Sequence, residues 1–353
     1  MRIGLIAPPW VPVPPVGYGG TEAVVDNLAR GLTELGHDVR LFTVGESTCP
    51  VPRDWLYPHA EQPIGDSMVE AAHVLAAYRN LSRMDLIHDH TVLGPLLAGR
   101  YAGELPPVVV TSHGPFTPAP RRVFAEIART ARIVAISRAQ ARQAAGVRVT
   151  AVIHHGIDLD RYHFGSGAGG YLLFLGRMCP DKGVHRAVRI ARDAGVPLRI
   201  VTKIWEPAER EYYEREVRPL LAPGAPEPAE QGPQGCLELL RGATALLNPI
   251  SWPEPFGLVM AEALACGTPV ITTACGAAPE IVDHGRTGFV CRSDEEMTAA
   301  VARLPGIDRT ACRDAAVRRF SRERMARDHE HLYAGILAGL RGVAPRRAHP
   351  VPA

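Results

Sequence analysis

The chain contains no C-x-x-C pair, and its seven cysteines are an odd number scattered from Cys49 to Cys312. Such spacing argues against a disulfide framework or a cysteine zinc site and fits a reducing compartment. Charge of one sign is also missing. Against 37 Asp+Glu stand 39 Lys+Arg, a formal net charge of +2, less basic than a generic nucleic-acid surface. No apolar run approaches the roughly 18 residues of a spanning helix. The opening "MRIGLIAPPW" enters a strand-like run without separate charged and apolar signal regions. The dinucleotide fingerprint G-x-G-x-x-G with its acidic partner is absent too. What is present is 46% hydrophobic residues over 353 positions, ample for packed cores and too long for one ordinary domain. A soluble cytoplasmic protein of two domains is expected.

Short strand-like runs alternate with amphipathic stretches. "RIGLIA" leads through a Gly/Pro loop to "TEAVVDNLARGLTELGH", where Ala23, Val24, Leu28, Leu32 and Leu35 recur at helical spacing and Gly36 can close the helix. "DVRLFTV" follows. "YLLFLG", "GVHRAVRIARDAG" and "LRIVTK" repeat the unit later, with further short strands between and beyond. Strand–loop–helix–strand units build parallel sheets, so the expected fold class is α/β, with two Rossmann-like doubly wound domains facing a central cleft. The glycine-rich "HFGSGAGG", 163–170, reads as the linker between domains 1–165 and 166–320. The Pro- and Arg-rich tail 341–353 reads as disordered. Ligands of doubly wound sheets meet strand ends and helix starts, so chemistry is sought in the loops after strands.

Four loops stand out. In "WPEPFGLVMAEALACGTPV", residues 252–270, a helix starting near Phe256–Gly257 would leave its first amides free for an anion, and Gly257 would allow close approach. Glu254 lies just ahead and Glu262 in the second turn, on the side of Leu258. A carboxylate accepts from vicinal hydroxyls, so sugars suit both; read alone, they are equally an N-terminal charge and a surface residue. In "LGRMCPDKG", 175–183, Arg177 and Lys182 could neutralise a diphosphate, or be two solvated cations. Gly17, Gly19, Gly20 and Thr21 form a side-chain-poor loop at a helix start, at a spacing that is weak evidence alone. In "VVVTSHGPF", His113 directly follows a buried strand. His88 and His90 of "IHDH" hint at a metal, but no cluster completes the site, and no metal is expected. "HHGIDLDRY", 154–162, reads as a plain connector.

In this order the motifs E-P-F-G-x-x-x-x-E and G-R-x-x-x-x-K-G, the early G-G-T-E loop, S-H-G, "HHGIDLDRY" and "APEIVDHGRTGFV" resemble the retaining glycosyltransferases of family four, with the GT-B fold. The resemblance spans roughly residues 1 to 340. It implies transfer of a sugar from a nucleotide-diphosphate donor to a hydroxyl-bearing small-molecule, lipid or glycan acceptor, with retention and without metal or other cofactor. Arg177 and Lys182 would grip the diphosphate and Glu254 the donor-sugar hydroxyls. Phe256, Gly257 and Leu258 would support sugar and phosphate through their amides, and Glu262 would bind the ribose. Gly19 and Gly20 would approach the diphosphate from the other domain, while His113 would touch the sugar or stabilise charge near the reacting carbon. The stretch from 321 to 340 resembles the helix that crosses back onto the first domain.

One departure stands against the pattern. Where the family has a short strand framing the nucleobase, this chain has "PGAPEPAEQGPQG", whose Pro223, Pro226, Pro228 and Pro233 disfavour a regular central strand. The rival functions are a sugar-nucleotide 2-epimerase and a non-catalytic nucleotide-sugar-binding homologue. A basic amphipathic stretch, "RRVFAEIARTARI" at 121–133, is read as a possible weak peripheral contact with the inner membrane face. Its stripe of Val123, Phe124, Ile127 and Ala131 is equally what core packing demands.

Overall fold

A computed structural model describes residues 1–341 apart from 18, 102, 223 and 225. Pro223 and nearly all of the expected disordered tail thus lie outside the described residues.

Two parallel sheets organise the chain. The first has seven strands, β1 Arg2–Ile6, β2 Asp38–Thr43, β3 Arg53–Trp55, β4 Leu86–Asp89, β5 Val108–Thr111, β6 Arg132–Ala135 and β7 Val149–Val152. Their spatial order is β3-β2-β1-β4-β5-β6-β7. The second has β8 Leu172–Leu175, β9 Leu198–Val201, β10 Ala245–Asn248, β11 Val270–Thr273 and β12 Gly288–Cys291, in the order β12-β11-β10-β8-β9. Each reverses direction of growth beside its first strand, the switch point where a doubly wound sheet opens a crevice. β4, β5, β10 and β11 are buried at every position, as strands covered on both faces by crossover helices must be. That explains why each opens on two or three consecutive apolar residues rather than alternating.

The first helix, Gly20–Glu34, buries Val24, Val25, Leu28, Ala29 and Leu32 against this sheet. The last, Arg322–Arg341, leaves the second half and packs on the first helix. Its Met325, Ala326 and Tyr333 belong to the first half's core. Arg322 ties the crossing to Glu34 at 3.0 Å and Asp158 at 3.4 Å.

Two expectations require correction. The glycine-rich run 163–170 is no free spacer. Its Gly165, Gly167 and Gly169 amides donate to the carbonyls of Cys266, Arg241 and Gly242. A Cβ on Gly165 would lie 2.3 Å from the Arg241 carbonyl oxygen, so glycine serves close backbone approach here rather than flexibility. The amphipathic stretch 121–133 is not one helix either. The helix ends at Ile127 and β6 begins at Arg132. Phe124, Ile127 and Ala131 are buried with Val108, Val110 and Ile133, so the stripe required for membrane contact is consumed by its own sheet. Among the described residues no helix is long and apolar enough to cross a membrane.

Candidate active site

Between the two sheets lies a cavity of ≈ 460 Å³. Gly19, Gly20, His113, Arg177, Lys182, Glu254, Phe256, Gly257, Leu258 and Glu262 all line it, so the structure brings together every residue singled out above for donor binding or catalysis. Their arrangement differs in detail from the sequence reading.

The loop after β10 carries Trp252 and Glu254. It is braced by the turn after β11: the Ala277 amide donates to the Glu254 carbonyl at 2.8 Å, and the Cys275 thiol to that of Trp252 at 2.9 Å. Gly257 then takes φ 92°, the left-handed region that favours glycine. The helix starts one residue later than expected, at Leu258, and runs to Ala265. Its first amides, at Leu258 and Val259, have no intrahelical acceptor, and both residues line the cavity. Phe256 sits outside the helix at 2% exposure, its ring packed among His154, His155 and Phe320.

Lys182 closes a turn, Pro180–Lys182, that follows β8. Its ammonium forms a short ion pair with Glu254 and lies 5.1 Å from the centre of the Trp252 ring, while Trp252 Nε1 donates to Glu254 Oε2 at 3.0 Å. Thus Lys182 is not a solvated surface cation. Arg177 lies half-buried on the same loop, lines the cavity and forms no ion pair among the described residues. The sequence suggested two free cations; one of them is already held by a carboxylate.

Glu262 is no ordinary surface residue. Half-buried, it accepts from the Tyr162 hydroxyl at 2.9 Å across the connector between the halves. Burial raises its carboxyl above the usual range, opposed by that hydrogen bond and by the charge of Arg161. Burial and the Glu262 charge likewise raise the Tyr162 phenol. From the other half, Gly20 faces Leu258, with space for a Cβ in ordinary contact, 3.5 Å from its Cδ1. His113 enters from the loop after β5. Its Nε2 is 3.0 Å from His90 Nδ1, and its ring stacks on His155. Burial, with the imidazole of His329 adding to it, pushes His113 down to about 4, so the ring is neutral at pH 7.

Among its described residues the proline-rich departure makes one parallel bridge, Val201 to Ala229, in place of a strand. Glu230 and Gln231 immediately after it line the cavity, and Glu230 accepts from Trp205 Nε1 at 2.9 Å.

Among the lining residues that the sequence reading did not single out are His155, Arg161, Tyr162 and Trp252. The first three sit in "HHGIDLDRY", taken for a plain connector, although a polar, aromatic segment crossing between two domains is a natural place for cleft residues. Trp252 is two residues from Glu254 on one loop. Glu280 was also missed. It accepts from the Arg138 and Ala139 amides at 2.9 and 2.6 Å and meets His154 Nε2 at 3.1 Å, so one carboxylate joins both halves at the cleft's edge. Among the described residues no group of three or more His, Cys, Asp or Glu could hold a metal ion.

Comparison with known proteins agrees with this geometry. The family model "Glycosyltransferase Family 4" matches residues 18–161 and "Glycosyl transferases group 1" matches 169–305. A glycogen synthase of Mycobacterium tuberculosis is 26% identical over 401 aligned positions, covering 94% of this chain and 91% of that protein. The crystal structure of AviGT4, a glycosyltransferase of avilamycin A biosynthesis, is 29% identical and superposes with a TM-score of 0.70 over 96% of this chain and 98% of its own. Anabaena HepE, solved in complex with UDP and glucose, is 18% identical with a TM-score of 0.75 over 95% of this chain and 99% of its own. With both halves matched, two parallel α/β sheets around one cleft and the motif residues gathered there, the chain belongs to the glycosyltransferases of family four and has their GT-B fold.

Proposed function

We propose that this glycosyltransferase moves a sugar from a nucleotide-diphosphate donor to a hydroxyl-bearing acceptor with retention and without a metal ion. The observation that carries the reading is the convergence of Arg177, Lys182 and the Leu258 and Val259 amides on one cavity that also presents Glu254 and Glu262. Cations and a helix start suit a diphosphate, and flanking carboxylates suit the hydroxyls of the two sugars on either side. Residues 1–165 with the crossing helix form the acceptor side, and 166–320 the donor side.

In this reading the bond from the sugar's anomeric carbon to the diphosphate oxygen breaks, and the acceptor oxygen bonds to that carbon on the same face. The acceptor's proton passes to an oxygen of the departing diphosphate. The largest catalytic contribution is electrostatic: Arg177, Lys182 and the two amides stabilise charge as it develops on the leaving group, supplying the positive charge for which other enzymes use a metal. Glu254 orients sugar hydroxyls, and Glu262, held by Tyr162, takes the ribose. A neighbour of the same fold was solved in complex with UDP and glucose, which is in keeping with a nucleotide-sugar donor.

The test is incubation with a panel of nucleotide sugars in chelator, following release of nucleoside diphosphate and the configuration of any glycoside formed. Diphosphate release with retention supports the proposal; isomerised donor would indicate an epimerase, and binding without turnover a non-catalytic homologue. The Ala229 bridge in place of a strand further implies modest base discrimination. Calorimetric affinities for UDP, GDP, ADP and dTDP are expected to lie within about 10³-fold of each other, since one or two lost base hydrogen bonds are worth ~1–3 kcal/mol. A wider spread contradicts this.

A further inference from the structure

A column of five histidines runs from the crossing helix to the cavity. His329 lies 5.3 Å from His88 between ring centres, and His88 lies 4.1 Å from His90. His90 is 5.2 Å from His113, which stacks on His155 at 5.2 Å. His113 alone is half-buried and lines the cavity with His155; the other four are at most 5% exposed. His88 uses both nitrogens, Nδ1 with the Tyr333 hydroxyl at 2.7 Å and Nε2 with that of Thr111 at 2.8 Å.

His90 decides how the column ends. Its Nδ1 shares one proton with His113 Nε2, and its Nε2 is buried with no hydrogen-bond partner among the described residues. Were the shared proton on His113, a neutral His90 would carry its own proton on that orphaned Nε2. Buried N–H groups without an acceptor are rarer in proteins than acceptors without a donor. The favoured arrangement therefore places the proton on His90 Nδ1, leaving a bare lone pair at Nε2. A neutral His113 must then carry its proton on Nδ1. Among the described residues that atom has no hydrogen-bond partner, and it is not buried, so its edge is open.

We infer that His90 is a positioning residue that locks His113 in the Nδ1–H tautomer, so that His113 offers a hydrogen-bond donor to an oxygen of the bound donor sugar. The last clause rests on the donor reading above; the lock itself does not. Burial keeps all five imidazoles well below their ordinary value. The other titratable or charged groups facing the column are Tyr333, Arg324 beside His155 and His329, and Asp328 beside His329.

The test is long-range proton–nitrogen correlation NMR on the full chain labelled with ¹⁵N-histidine at pH 7, with His113 assigned from the spectrum of His113→Gln. His113 should show a protonated Nδ1 and a bare Nε2. His90→Asn, whose amide N–H replaces the Nδ1 donor, should retain that pattern, and His90→Leu should lose it. With a turned-over nucleotide sugar, His90→Leu should lower kcat by about tenfold or more with little change in KM, and His90→Asn should recover most of it. A protonated Nε2 in the wild-type chain, or one tautomer common to wild type and His90→Leu, would overturn the lock. Should His90→Leu fail to fold, the wild-type and His90→Asn spectra decide. A chain with the expected tautomer but no donor turnover would count against the donor reading and leave the lock standing.

Discussion

Glu254 does two things that pull in different directions. It offers a carboxylate to sugar hydroxyls, yet its charge neutralises Lys182, the cation expected to meet the diphosphate. With Lys182 and Glu254 side chains only 18% and 11% exposed, neither can be left unpaired cheaply. An arriving diphosphate must therefore share Lys182 with Glu254. Removing the carboxylate's charge should separate the two roles. In Glu254→Gln, Trp252 Nε1 still has an oxygen to bond, but Lys182 has lost its counter-charge until an anion supplies one. Nucleoside diphosphate affinity should rise about three- to tenfold, the equivalent of roughly 1 kcal/mol. Turnover of the nucleotide sugar should fall by ~10-fold or more as sugar orientation is lost. Calorimetry and kinetics on one preparation check this, and a parallel fall in affinity and turnover would contradict it.

At the scale of elements, the helix mouth depends on one dihedral angle. A side chain at Gly257 would sit in the left-handed region, and its Cβ would lie 2.5 Å from Met260 Cε. Gly257→Ala should therefore shift the Leu258 and Val259 amides and lower turnover by ~10-fold or more, with a stability loss of about 1–3 kcal/mol. A variant with wild-type kcat would show that the mouth is not the anion site. This element was readable in advance because its signals are local: prolines, a glycine, then an apolar helix. The buried strands were readable for the same reason, as short apolar runs bounded by turn residues. The use made of 163–170 was not. Composition reports glycine as freedom, whereas here the backbones of Gly165 and Arg241 approach too closely for a Cβ, which only tertiary packing can decide. Tyr162 escaped notice because its partner, Glu262, is 100 residues away. The amphipathic stretch 121–133 divides between a helix and β6 because packing on the sheet overrides its periodic pattern.

For the molecule as a whole, buried neutral histidines make folding pH-dependent. Burial holds His73 and His329 at about 4 against an ordinary 6.5. Both are neutral when folded and take up protons when unfolded at lower pH. Their contribution is intact above about 6.5 and is lost as pH falls towards 4, by up to ~1.4 kcal/mol per pH unit for each. His88, His90, His113 and His155 act in the same direction. The urea midpoint should hold level from pH 7.5 to about 6.5 and fall from there to pH 5, with about two or more protons taken up on unfolding in that window; a midpoint flat down to pH 5 would contradict these neutral sites.

In the proposed function the two sheets flank one leaving group, the diphosphate of the donor. There Arg177 faces it without an ion-pair partner among the described residues, and Lys182 faces it paired with Glu254. The most direct test is the rate of nucleoside diphosphate release from a turned-over nucleotide sugar, in chelator, by the wild-type chain, Arg177→Ala and Lys182→Ala. The account predicts a fall of ~10² or more in kcat for each variant, because each removes charge that stabilises the departing diphosphate. Near-native kcat in both would contradict it.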